Sequence, residues 1–265
     1  MPGSVLARTL ADNRRALLWW TVGLVGLVGF VVAVYPTVRD RPELDRLLED
    51  YPELLKAFLG GGQLDFTSPA GYLSNELFSF MAPLVLLVFA IGRGAAAVAG
   101  EEERGTIDLL LACPLSRSRL VLERAGALAA LLLALGLALW LALVALAAIV
   151  GMEIGATRLG QGVASSLLLA LHFGALALLV GAATGRRALA LSLAAGAAVL
   201  AYLVNALALL VDFLEPWRRF SPVYHAIGTE PLRVGLGWDH VLVLGGASVA
   251  MVAVAALAFE RRDVR

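Results

Sequence analysis

Six long apolar runs, separated by shorter polar segments, dominate the pattern of the chain. Each run holds about 20 residues or more, which is the length of helix that crosses about 30 Å of hydrocarbon. The first run is too long, and its end too poor a cleavage site, for a signal peptide, so it is predicted to remain as a span. The pattern therefore predicts an all-α, polytopic membrane protein with one transmembrane domain over residues 1–265. The predicted spans are residues 16–35, 77–99, 125–150, 162–184, 188–211 and 241–259.

Shorter helical patterns lie outside the spans. Residues 4–15 have amphipathic spacing and predict a helix along the inner membrane surface, with an unstructured tail as the alternative. Residues 41–62 carry leucines and aromatics at helical spacing and predict an outer helical loop. Aromatics and prolines in residues 212–238 predict short interfacial or re-entrant helices before the last span, with a plain aromatic belt as the alternative. Ser116 is predicted to cap the third span.

Composition and charge agree with a membrane protein and exclude several other classes. The chain is 60% hydrophobic, only 16% charged and has a mean hydropathy of +0.84. Its net charge is zero, so no basic face invites nucleic acid. With Lys56 as the only lysine, the chain has no Gly-x-x-x-x-Gly-Lys-Ser/Thr loop for nucleotide phosphates. The single cysteine, Cys113, offers no intrachain disulfide.

The distribution of arginines predicts the orientation in the membrane. Most of them fall in segments that are cytoplasmic if the N-terminus is inside, and the very short loop at residues 185–187 contains two. We therefore expect both termini in the cytoplasm and the protein in the plasma membrane.

The polar segment between the second and third predicted spans, residues 100–119, has the signals of a short helix with a defined start and end. Residues 101–104 are predicted to continue the second span into the cytoplasm, and Gly105 can end that helix. Thr106 then suits the N-cap of a new helix, and Pro114 stops it. So short a helix cannot bury all of its leucines in the membrane, so we predict that some of them contact another protein.

The sequence of this segment, Glu-Glu-Glu-Arg-Gly-Thr-Ile-Asp-Leu-Leu-Leu-Ala-Cys-Pro-Leu-Ser-Arg, resembles the stretch between the second and third spans of ATP-binding-cassette (ABC) exporter permeases of the type-2 class. The stretches at residues 89–94 and 181–187 are also similar to bacterial members. The resemblance implies a cytoplasmic coupling helix that docks on a separate ATPase subunit. The implied coupling residues are Glu101, Glu102, Glu103, Arg104, Gly105, Thr106, Asp108, Leu109, Leu110 and Pro114.

The resemblance also implies the partners and the pathway. Two ABC ATPase subunits would bind ATP and Mg, while this chain itself would bind no cofactor or metal. A second permease copy or a similar chain would complete the pathway, lined by the first, second and fifth spans. Their apolar character favours a lipophilic cargo such as a drug, an antibiotic or a lipid.

Two polar residues inside the predicted spans, His172 and Asn205, are either hydrogen-bonded packing residues or contacts of the cargo.

Two alternatives to a permease remain open. The first is a membrane scaffold that docks on an ATPase without transport. The second, an intramembrane enzyme, is less favoured because the three histidines lack the paired spacing of metal ligands, and no catalytic residue is predicted.

Overall fold

Helices account for most of residues 5–39, 66–105 and 116–262, which are the residues that the computed structural model describes. Within these ranges, six helices are long and apolar enough to cross a membrane. This confirms the predicted all-α fold with six spans. The outer loop predicted at 41–62 and the helix predicted from Thr106 to Pro114 lie outside the described residues. The six spanning helices are Val5–Arg39, Pro69–Ala96, Arg117–Ile149, Ala156–Thr184, Arg187–Leu207 and Trp238–Arg261.

The first span includes the segment that was expected to form a separate amphipathic helix. Val5–Arg39 is one continuous helix, and the side-chain amide of Asn13 donates to the carbonyl of Thr9 at 2.7 Å within it. No glycine or proline lies between Asp12 and Trp20 to end the helix there. At about 1.5 Å per residue the helix is about 50 Å long, so it extends well beyond the hydrocarbon layer.

The second span begins and ends elsewhere than its hydropathy predicts. It begins at Pro69, where the hydroxyl of Ser68 accepts from the backbone N–H of Gly71 at 3.1 Å and proline occupies the first turn. It includes a π-helix, Ser74–Met81, and its α-helix ends at Ala96. The glutamates follow on a separate helix, Ala99–Glu103, so the prediction that residues 101–104 simply continue the span is wrong.

The second and fourth spans form the centre of the bundle. A Cβ atom added to Gly94 would lie 2.2 Å from the carbonyl oxygen of Gly174, so the two helix backbones are in direct contact. Small residues at a helix interface allow this close approach. Alanines beside the contact, among them Ala90 and Ala177, are fully buried. Many large apolar side chains of the first, third, fifth and sixth spans are exposed, as expected of helices that contact lipid.

The segment before the last span contains short helices. It holds a 3₁₀ turn at Asp212–Leu214, an α-helical turn at Glu215–Arg218 and a π-helix at Tyr224–Gly228. The hydroxyl of Ser165, in the fourth span, donates to the carbonyl of Ala226 at 2.6 Å. The segment is therefore packed against the bundle.

Candidate functional site

The short helix Ala99–Glu103 lies at one end of the bundle, together with the N-terminal part of the first span and the end of the sixth. We call this end the charged end and define it by Glu101, Glu102, Glu103, Arg124 and Arg262. The chain turns between Ala96 and Ala99 without a glycine or proline, so the sequence carries little signal for the change of direction.

Glu101 connects the short helix to the third and first spans. Its carboxylate pairs with the guanidinium of Arg124 at 3.0 Å, and the two side chains are 18% and 12% exposed. The same guanidinium donates to the hydroxyl of Thr9 at 2.9 Å. Because the pair is only partly accessible, it is screened less by solvent than a surface pair would be.

Glu102 connects the short helix to the last span. Its carboxylate pairs with Arg262, and a second nitrogen of that guanidinium donates to the carbonyl of Ala182 at 2.8 Å. The carbonyl of Arg262 in turn accepts from the side chain of Arg117. Gly185 lies beneath the pair at a φ of +67°, and a Cβ there would lie 2.5 Å from the Glu102 carboxylate. The backbone conformation of Gly185 favours glycine, and a Cβ at this position would also force the Glu102 and Arg262 side chains to shift.

Glu103 connects the short helix to the fifth span, because its carboxylate accepts from the backbone N–H of Arg187 at 3.1 Å. Arg104 folds back and donates to the carbonyl of Gly100 at 2.8 Å. Gly105 has a φ of +66° and follows the end of the helix, which confirms its predicted role as a helix breaker. The remaining predicted coupling residues, Thr106, Asp108, Leu109, Leu110 and Pro114, lie outside the described residues.

Beyond this loop, the N-cap of the third span is as predicted. The hydroxyl of Ser116 accepts from the backbone N–H of Arg119 at 3.3 Å. The positions of Thr9 near Arg124 and of Arg262 near Glu102 place the two ends of the described chain at the same end of the bundle.

The two polar residues inside the spans occupy different environments. Asn205 accepts from the side chain of Arg218 at 3.3 Å and so joins the fifth span to the segment before the last span. The ring of His172 packs edge-on against Phe173 with centroids 5.2 Å apart. Its Nδ1 atom is buried and has no hydrogen-bond partner among the described residues. The structure does not bring these two residues together.

An apolar groove of about 170 Å³ lies between the second and fifth spans. Phe80 and Tyr202 face each other across it with ring centroids 5.7 Å apart. Leu84 and Val199 line it and are 42% and 60% exposed. Neither His172 nor the first span lines this groove.

These features define the class as a polytopic helical membrane protein in which a short helix after the second span is held against the other spans. The model of the ABC-2 family transporter proteins matches residues 4–264, and the chain belongs to this family. The family that the loop sequence predicted is thereby confirmed.

Two relatives are each described as a probable ABC transporter permease protein NosY. The chain is 34% identical over 175 residues to the protein of Stutzerimonas stutzeri, a match that covers 63% of this chain and 62% of the relative. It is 35% identical over 167 residues to that of Pseudomonas aeruginosa, covering 61% and 59%. The matches thus cover about three fifths of the length of these relatives.

Proposed function

We propose that the chain is the membrane-spanning subunit of an ATP-driven ABC exporter, and that residues 101–114 dock on a separate ATPase. Family membership and the permease description of both relatives support this role. The observation that carries it is the set of contacts made by Glu101, Glu102 and Glu103, because they join the start of the docking loop to the third, sixth and fifth spans. Movement of a docked ATPase would therefore reach several spans at once.

In this proposal the energy comes from the partner. Two ATPase subunits bind ATP and Mg. Nucleotide binding shifts the equilibrium between the two conformations of the permease only if the nucleotide-bound ATPase binds one of them more tightly than the other. A second copy of this chain, or a similar one, completes the pathway. The apolar groove beside Leu84 and Val199 supports a lipophilic cargo, because its lining offers mainly apolar contact.

The docking role predicts that replacing two leucines of the loop with charged residues weakens complex formation. Leu109→Asp with Leu110→Asp is expected to reduce co-purification of the ATPase at least tenfold, because the aspartates would bring uncompensated charge into an apolar contact. The measurement is the ratio of ATPase to permease after purification in mild detergent. Val234→Asp is the control, since Val234 is 78% exposed in the segment before the last span. An unchanged ratio in the loop variant would contradict docking.

A scaffold that docks without transport is the second candidate, and a functional measurement separates the two. Vesicles that contain the permease and its ATPase are expected to hydrolyse ATP several times faster when a transported lipophilic compound is added. A scaffold would bind the ATPase as well but would leave hydrolysis unchanged across a panel of such compounds.

The proposed orientation places the charged end, and with it both termini, in the cytoplasm. A reporter that is active only in the cytoplasm is expected to be active when fused after Arg265. The same reporter fused after Gly151 is expected to be inactive, because that residue lies between the third and fourth spans at the opposite end. The reverse pattern of activities would overturn the orientation while leaving the family unaffected.

A further inference from the structure

A polar cavity of about 210 Å³ opens at the charged end between the first, second and third spans. A single water needs only about 10–15 Å³ of such space, so the cavity can hold a larger polar group. Arg93, Arg104 and Arg124 line it together with Asp12 and Glu101, and Leu128 forms part of an apolar wall. The cavity borders the start of the docking loop through Glu101 and Arg104, and it is separate from the apolar groove.

The charges of the lining leave hydrogen-bond donors available. Glu101 is already paired with Arg124, yet the Nε–H of Arg124 is buried and has no hydrogen-bond partner among the described residues. The guanidinium of Arg93 lies over the ring of Phe89 at 5.6 Å, and no carboxylate in the described part of the chain pairs with it. Asp12 is exposed. The three arginines outnumber the two carboxylates, so the cavity favours an anion with several acceptor oxygens.

The surroundings favour an anion that is attached to an apolar chain. Trp19 lies seven residues after Asp12, which places it on nearly the same face of the first helix and about 10 Å further along. Its side chain is 72% exposed, and the neighbouring Leu18 and Val22 are 58% and 54% exposed. Tryptophan is enriched where head groups meet the hydrocarbon. A polar cavity beside an exposed apolar surface matches the phosphate and the acyl chains of one lipid.

We propose that this cavity binds the phosphate group of an anionic phospholipid from the leaflet at the charged end. Arg93 and Arg104 donate to the phosphate oxygens, and the buried Nε–H of Arg124 adds a third donor. The acyl chains run along the exposed face that contains Trp19. This site is separate from the proposed cargo groove and does not depend on transport. It adjoins the loop, because Arg124 also holds Glu101.

The test measures lipid binding to the full-length protein by native mass spectrometry from detergent. Phosphatidylglycerol is the probe, and phosphatidylcholine and inorganic phosphate are the comparison ligands. Arg93→Gln is expected to weaken phosphatidylglycerol binding about fivefold, which corresponds to roughly 1 kcal/mol for one basic residue near a membrane surface. Arg93→Gln with Arg104→Gln is expected to weaken it about 20-fold or more.

Two further variants separate binding from misfolding. Arg186→Gln removes the same charge from an exposed position at the same end of the bundle, outside the cavity, and is expected to leave binding unchanged. Asp12→Asn removes a repulsive carboxylate and is expected to tighten binding about two- to fivefold, which a damaged protein would not do.

Three results would overturn the proposal. The first is equal phosphatidylglycerol binding by the wild type and the Arg93→Gln, Arg104→Gln variant. The second is equal binding of phosphatidylcholine and phosphatidylglycerol, which would show that net charge is not recognised. The third is displacement of the lipid by inorganic phosphate at a similar concentration, which would assign the cavity to a free anion.

Discussion

Alanine at position 94 is expected to destabilise the bundle by about 2–3 kcal/mol, near the upper end for overpacking of a core. The added Cβ would lie 2.2 Å from the carbonyl oxygen of Gly174 and 3.2 Å from the Cβ of Ala177. A backbone carbonyl cannot rotate away as a flexible side chain can, so the second and fourth spans must separate. Their separation loosens contacts of residues that are now fully buried, among them Ala90 and Leu178.

The control for this substitution lies two residues away on the same helix. A Cβ added to Gly92 would meet nothing within 4 Å, so Gly92→Ala tests the intrinsic effect of losing a glycine. Because alanine is the better helix former by about 1 kcal/mol, this variant is expected to be as stable as the wild type or more so. The measurement is the unfolding free energy from titration with denaturing detergent. Equal values for Gly94→Ala and Gly92→Ala would contradict the close helix contact.

Reversal of the charge at Glu102 is expected to remove the connection between the docking loop and the last span. Glu102→Arg places two guanidinium groups together, and both positions are largely buried, with exposed fractions of 16% and 18%. Disruption of a fully buried pair costs about 3–5 kcal/mol, so about 2–3 kcal/mol is expected for this partly buried one. The span sequences are unchanged, so insertion into the membrane should persist. Under the proposed function, ATP-driven transport per inserted molecule should fall at least fivefold.

Two comparisons isolate the pair. Arg119→Glu reverses the charge at a position that is 63% exposed, in the ion pair with Glu123 at the same end, and is expected to change stability by less than about 1 kcal/mol. Glu102→Arg combined with Arg262→Glu is expected to recover part of the stability, but not all, because Arg262 also donates to Ala182. If the double variant is no more stable than Glu102→Arg alone, the two side chains do not act as a pair.

The number and order of the spans could be predicted because hydrophobic length is a local property of the sequence. The start of the second span could not be predicted from hydropathy, since residues 69–76 are less apolar than the run that follows. The signals of Ser68 and Pro69 were nevertheless present as an N-cap and a first-turn proline. Capping chemistry, which was not used to place this end, marks it more closely than hydropathy does.

The residues of the candidate site also differ in whether the local sequence predicts their role. Gly105 and Ser116 act within a few residues of their own positions, and local rules predicted both roles. The partner of Glu102 is 160 positions away in the sequence, and nothing near either residue identifies the other. The turn after Ala96, which brings the glutamates to their partners, likewise has no glycine or proline to announce it. Long-range pairs of this kind follow from the packing of the spans, which a single sequence does not specify.

The shortness of the helix Ala99–Glu103 has a geometric consequence. Consecutive residues on a helix point about 100° apart, so three adjacent glutamates face three different directions. Each meets a different neighbour, at Arg124, Arg262 and the backbone of Arg187. A rigid body that is held at three points not on one line can neither slide nor rotate on its own. Any displacement of this helix therefore either breaks a contact or displaces the third, fifth and sixth spans with it.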